Sequence, residues 1–169
     1  MMAGRSTDST SDASSPEKAW MDEALALAGE ASRHGEVPVG ALIVDSAGRI
    51  IGRGRNRREE GDPLGHAEIY AIREAAKAIG GWRLDETSIV VTLEPCAMCA
   101  GAIVNARIKR LIFAAPDPKA GFCGSLDNLV QDDRLNHRVI VESGLGQEES
   151  SAMLRQFFQR LRNQEVQGS

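Results

Sequence analysis

The sequence predicts an α/β protein, a three-layer α/β/α sandwich around a mixed five-stranded sheet. Three observations predict it. Helical and β-type periodicities alternate along the chain in the order α-β-β-α-β-α-β-α-β-α. One pair of strands is close enough for a hairpin, while the later strands are separated by helical segments, as in βαβ crossovers. No internal repeat and no Pro/Gly-rich interior linker divides the chain, so residues 16–169 are expected to form one domain.

The elements follow in order. Residues 1–15 are rich in Ser, Thr and Asp and are expected to be disordered. The first helix should run from Pro16 to His34, with Ser15 as N-cap, Pro16 at the first helical position and Gly35 past its end. Met21, Ala24, Leu25 and Ala28 give it an apolar stripe. Val39–Val44 reads as a strand, Asp45-Ser46-Ala47-Gly48 as a turn, and Arg49–Arg55 as the partner strand. A polar loop covers Asn56–Leu64. Gly65–Ile79 reads as a helix buried along Ile69, Ile72, Ala76 and Ile79, and stopped by Gly80-Gly81. Ser88–Leu93 is a β-branched strand, Cys96–Asn105 a helix, and Arg110–Ala114 a strand. A Gly/Pro-bearing loop fills Ala115–Gly124. A short helix near Leu126–Val130, a strand near Arg138–Glu142 and an amphipathic helix over Glu148–Arg162 complete the chain.

Composition narrows the function classes. The 169 residues are 42% hydrophobic and 4% aromatic, and no apolar run approaches the roughly 20 residues of a membrane span. No apolar stretch near Met1 suggests a signal peptide, so a cytoplasmic protein is expected. Three cysteines with one C-x-x-C pair make a poor disulfide framework and a good partial metal site. The net charge of −4 argues against a general nucleic-acid binder. It leaves room for local basic surfaces at Arg53, Arg55, Arg57 and Arg58 and at Arg107, Lys109 and Arg110, although such clusters are more often plain solvated faces.

Two short segments carry chemistry: His66-Ala67-Glu68 and Pro95-Cys96-Ala97-Met98-Cys99. His66, Cys96 and Cys99 supply an imidazole and two thiolates for zinc. Three protein ligands leave a fourth position for water, as in catalytic rather than structural sites. Glu68 is spare and placed to move protons. Residues two apart in a regular helix point about 200° away from each other, so His66 and Glu68 converge only if His66 sits at the helix entry. Pro63 and Gly65 support that by interrupting any helix upstream. The combination of H-x-E with P-C-x-x-C is the zinc-deaminase signature. It predicts hydrolytic loss of an amine, with Glu68 carrying protons from water to ring nitrogen and to the departing ammonia. The bland alternative is a closed structural zinc site with Cys123 as fourth ligand, which leaves Glu68 and Pro95 unexplained. Cys123, His34 and His137 are otherwise read as ordinary residues.

Beyond the signature, the chain resembles the bacterial tRNA-specific adenosine deaminases of the cytidine deaminase-like superfamily. The resemblance spans about Ala19 to Arg162. It rests on Glu36-Val37-Pro38-Val39-Gly40-Ala41, Arg55-Asn56-Arg57, Asp62-Pro63 and Thr92-Leu93-Glu94-Pro95-Cys96-Ala97-Met98-Cys99-Ala100-Gly101-Ala102. It continues through Asp117, Lys119, Gly121, Gly124-Ser125-Leu126, Asn136-His137-Arg138 and the Phe157-Phe158 helix. His66 also fits, since nucleoside cytidine deaminases typically carry Cys there. The resemblance implies one zinc per subunit on His66, Cys96 and Cys99, with Glu68 as proton shuttle. It implies that Asn56 bonds the flipped purine and that Asp117 lies near the nucleotide backbone. It further implies a homodimer acting on the wobble adenosine of an arginine tRNA, with the anticodon stem-loop held partly by the last helix. A loop base is already unpaired, so extruding it costs little. The chain departs from the family pattern at Leu64-Gly65, at Pro116 and at Phe122-Cys123. A free-base or nucleoside deaminase, acting on guanine or cytosine, and an inactive RNA-binding subunit are the alternatives. Arg155, Arg160 and Arg162 near the Phe157-Phe158 pair favour the tRNA reading, and an intact Glu68 weighs against the inactive subunit.

Overall fold

The structure, a computed structural model, describes residues 15–168. The disorder expected for the N-terminal segment falls outside the described residues, except at Ser15. That residue is ordered as the N-cap of the first helix, where its side chain accepts from Lys18 N.

The helices are α1 (Pro16–Arg33), α2 (Ala67–Ile79), α3 (Ala97–Asn105) and α4 (Gln147–Gln167). The strands are β1 (Gly40–Val44), β2 (Ile50–Arg55), β3 (Ser88–Leu93), β4 (Arg110–Ala115) and β5 (Ile140–Ser143). They form one sheet in the order β2-β1-β3-β4-β5. β1 is antiparallel to both neighbours, whereas β3, β4 and β5 are mutually parallel, so the mixed five-stranded sheet is as predicted.

Alternation along the central strands builds a core on each face. Ala41, Ile43, Ile89, Val91, Leu111 and Phe113 pack toward α2 and α3 with Ala67, Ala71 and Ile103. Leu42, Val44, Val90, Ile112 and Ala114 face the other way, against Met21 and Ala24 of α1. Period-two side chains buried on both sides are what a strand between two helical layers requires.

Boundaries moved where chain ends of elements are set by contacts. α2 begins at Ala67 rather than Gly65, and α3 at Ala97 rather than Cys96, because His66 and Cys96 have extended dihedrals and act as N-caps. The short helix expected near Leu126–Val130 is a 3₁₀ turn at Leu129–Gln131. Another 3₁₀ turn, Arg58–Glu60, interrupts the loop after β2. α4 extends five residues beyond the expected Arg162, to Gln167, along an exposed polar stretch with no breaker before Gly168.

One feature of β2 sets the position of the functional end of α2. A Cβ on Gly54 would lie 2.1 Å from the Ala67 carbonyl oxygen, and one on Gly52 2.2 Å from that of Ala71. Glycine lets the α2 backbone rest directly on the strand. The first turn of α2 is thereby held against the sheet.

Candidate active site

The site lies where α2 and α3 start, each just past the end of a strand or loop. His66 caps α2 at φ −86°, ψ 148°. Glu68 therefore stands in the first turn and His66 outside the helix, which removes the 200° opposition expected for two residues within it. Cys96 caps α3 at φ −73°, ψ 178°, and Cys99 follows in the first turn. Both half-sites thus present their side chains beside the unsatisfied N–H groups of a helix N-terminus, which favour negative charge.

The three ligand atoms converge. His66 Nδ1 lies 3.5 Å from Cys96 Sγ and 3.4 Å from Cys99 Sγ, and all three atoms fall within 4.8 Å of one another. These residues could hold a metal ion, and they are the one such group among the described residues. Cys123 is buried but stands outside the group, its thiol facing the Pro95 carbonyl at 3.9 Å. The four-ligand alternative therefore lacks its fourth ligand. His34 bonds the Glu30 carbonyl and His137 the Ile108 carbonyl, so neither takes part.

The electrostatics of the cluster follow from close packing. The Cys99 thiol shares its proton with the Cys96 sulfur, which with the His66 contact brings Cys96 down to about 4 against the opposing effect of burial. The same Cys96 bond, then burial, push Cys99 upward. Contact with Cys96 raises His66. Glu68 is 4% exposed, and its burial raises the carboxyl above the usual range. A buried carboxyl raised in this way holds a proton more readily than an exposed one.

The other predicted residues are placed less directly. Asn56 follows β2, and both ends of its amide engage backbone: Nδ2 donates to Val37 O (3.1 Å) and Oδ1 accepts from Ala67 N (3.1 Å). It thus supports the first residue of α2. One amide hydrogen and one lone pair remain for a further partner. The Asp117 carboxylate caps its own turn by accepting from Lys119 N and Ala120 N. Leu64 is exposed and Pro116 lies at the surface beside Asp117.

Most members of the two basic clusters are paired with acids. Arg53 pairs with Glu23, Arg55 with Glu30 and Glu60, and Arg57 with Glu60, while Arg57 also stacks over Tyr70. Lys109 pairs with Glu86, and Arg110 with Glu17 and Glu142. Arg160 donates to Ser32.

Sequence reasoning gave Glu94 no role. Its carboxylate is 3% exposed and ties down the segment from Asp117 to Ser125, which follows β4. A charged residue between an apolar strand and a Pro-Cys pair was the available signal.

A sheet of this topology with an imidazole, two thiols and a buried carboxyl at two helix starts defines a deaminase, an enzyme of the cytidine deaminase-like fold. The chain belongs to the tRNA-specific adenosine deaminase family: proteins of that name from Bacillus subtilis and Haemophilus influenzae are each 49% identical to it, over 85% of this chain and 89% and 84% of theirs. A family profile described as MafB19-like deaminase matches residues 15–162. A solved structure from studies of A-to-I editing by tRNA deaminases at the wobble position of transfer RNA superposes with a TM-score of 0.77. It is 44% identical and covers 80% of this chain and 99% of that one. A guanine deaminase from Nitrosomonas europaea shares the fold at 24% identity and a TM-score of 0.72, covering 83% of each chain.

Proposed function

We propose that this protein hydrolyses the wobble adenosine of tRNA-Arg(ACG) to inosine, using one zinc ion per subunit held by His66, Cys96 and Cys99. The observation that carries the reading is the convergence of those three side chains beside buried Glu68. A tetrahedral ion with nitrogen at about 2.0–2.1 Å and sulfur at about 2.3 Å would hold N and S roughly 3.5 Å apart. The spacings of 3.5 and 3.4 Å from His66 Nδ1 to the two sulfurs fit that demand. A mixed imidazole and thiolate set also suits zinc better than magnesium or calcium. The choice of RNA rests on the relatives named tRNA-specific adenosine deaminase.

When bound, zinc lowers the pKa of water toward about 7 and so makes a nucleophile available at neutral pH. The chain's own residues do the rest. The Glu68 carboxylate accepts a proton from the attacking water and passes it to the purine nitrogen next to the attacked carbon. The carbon–oxygen bond forms as that nitrogen is protonated. Glu68 then takes the second proton of the added water to the amine, the carbon–nitrogen bond breaks, and ammonia leaves. Asn56 directs its remaining amide valences to the flipped base, and Asp117 sits beside the neighbouring nucleotide. The last helix contacts the anticodon stem-loop.

The active form is a homodimer, and residues 16–169 act as one cytoplasmic domain. Support for pairing comes from an apolar surface between α2, α3 and the Leu129–Gln131 turn. There Leu64, Ile72, Trp82, Met98, Leu129 and Leu135 line a cavity of about 790 Å³. Trp82 is 60% exposed, and Arg83 and Arg107 stack over its ring. Exposed apolar surface of this kind marks an interaction site. Among the described residues no helix is long and apolar enough to cross a membrane.

The test is direct. The zinc-loaded protein is incubated with an arginine tRNA anticodon stem-loop, guanine and cytosine in turn, with RNA sequencing and an ammonia assay. Inosine confined to the wobble position is the expected result. Ammonia from guanine or cytosine alone overturns the substrate assignment, and inactivity on all three overturns the enzymatic reading. Sedimentation at micromolar concentration should show a mass twice that of the chain.

A further inference from the structure

Glu94 is a buried carboxylate that the deamination chemistry does not use. It sits between β3 and Pro95, two residues before a metal-ligand cysteine. Oε1 accepts from Asp117 N (3.1 Å) and Ser125 Oγ (2.5 Å), and Oε2 from Cys123 N (3.1 Å) and Ser125 N (3.1 Å). One side chain thus holds both ends of the segment 117–125. Local bonds fill the middle. Gly121 N donates to Asp117 O, Phe122 N to Pro95 O, and Cys96 and Gly121 form an isolated antiparallel bridge. The fit is tight at Gly121, where a Cβ would lie 2.1 Å from Glu94 Oε2 and 2.6 Å from Asp117 O.

We propose that Glu94 is a positioning residue for the substrate, holding the segment 117–125 in register beside the Cys96 half-site so that Asp117 is presented at a fixed place. The inference rests on the deaminase reading above, and goes beyond it in assigning the shape of the substrate-facing wall to one buried side chain.

The donor set makes the claim specific. All three backbone partners are N–H groups that can only donate, so the carboxylate must offer an acceptor on both oxygens. An amide in the same volume has one acceptor oxygen, and its NH₂ would face at least one of those N–H groups. Buried donors left facing a donor are costly, so the segment must shift to reach other partners. Ser125 differs, since its hydroxyl can rotate to accept. None of the Glu94 bonds goes to a candidate metal ligand: His66 caps α2, Cys96 caps α3, and Cys99 lies in the first turn of α3.

Glu94→Gln in the full chain is the test. It should keep one zinc per subunit by elemental analysis. The amides of Asp117, Cys123 and Ser125 should exchange with solvent at least 10-fold faster. KM for the anticodon stem-loop should rise at least 10-fold, with kcat falling less than KM rises. Glu94→Asp, which keeps both acceptors on a shorter stem, should recover part of the KM. Unchanged amide protection with an unchanged KM overturns the proposal. So does loss of zinc, which would put Glu94 beneath the metal half-site instead. Should the Gln variant fail to fold, Ser125→Ala, which removes one bond, carries the decision: KM should rise about 3-fold with zinc retained, and no rise overturns the proposal. If the unaltered protein is inactive on RNA, the functional reading falls by itself, while the amide exchange still decides whether Glu94 holds the segment.

Discussion

The two halves of the site are alike at the helix start and differ behind it. At α2 and at α3 a candidate metal ligand stands as an extended N-cap, ahead of a first turn that carries the second candidate side chain. Behind α2 stands Asn56, a neutral amide with one bond to Val37 O and one to Ala67 N. Behind α3 stands Glu94, a carboxylate that accepts from two residues at one end of a distant segment and from Asp117 at the other. The α2 support spans 11 and 19 residues and fastens the helix to the chain that precedes it. The α3 support reaches 23 to 31 residues along the sequence. Hydrogen bonding overcomes the burial that would otherwise raise the Glu94 carboxyl, and holds it below its ordinary value. Asn56 supports one helix end, whereas Glu94 gathers both ends of a whole segment.

Chemistry and support separate most sharply at Glu68. Glu68→Ala should lower inosine formation at least about 100-fold, the lower range for loss of a general acid–base group. Zinc content should not change, because Glu68 lies outside the converging group. A variant with near-normal turnover would remove Glu68 from the mechanism and leave the α2 half with His66 alone.

The next effect is on packing in the α3 half. Gly121→Ala drives a Cβ against Glu94 and the Asp117 carbonyl. Overpacking of this kind costs about 1–3 kcal/mol. A urea midpoint unchanged from the parent would show that the wall gives way freely, and the contrast with α2 would fail.

Asn56→Ala tests the other support. It leaves Ala67 N and Val37 O without their side-chain partner, for a loss of about 1–2 kcal/mol. Hydrogen exchange should quicken at Ala67 and stay as it was at Cys123. Faster exchange at both positions would mean that the two halves are coupled through the sheet.

The smallest effect belongs to the basic surface. Arg57 is exposed and paired with Glu60, and such pairs contribute about 0–1 kcal/mol. Arg57→Ala should leave RNA affinity within about twofold and its salt dependence unaltered. A slope reduced by about one would assign Arg57 to a phosphate.

Much of this was legible in the linear chain because it depends on local chemistry. The period-two strands, the Pro-led first helix and the Gly80 stop of α2 follow from near neighbours in sequence. The candidate ligands were legible because His66-Ala67-Glu68 and Cys96-Ala97-Met98-Cys99 each sit within four residues. Requiring His66 at the helix entry anticipated its extended backbone, although it did not move the predicted helix start from Gly65 to Ala67.

Only the tertiary structure decided the rest. It brought the imidazole within 3.5 Å of sulfurs some 30 residues away by laying α2 on the glycines of β2. It showed Arg53 and Arg55 engaged by Glu23 and Glu30, pairings that depend on how α1 crosses the sheet. It also gave Glu94 its work, since the donors it satisfies lie beyond another helix and strand. The sequence by itself determined which atoms could bind a metal and move a proton, because those are properties of residue types at short spacing. Which buried groups hold those atoms still is a property of long-range burial, where an unsatisfied donor or acceptor is costly enough to select one arrangement.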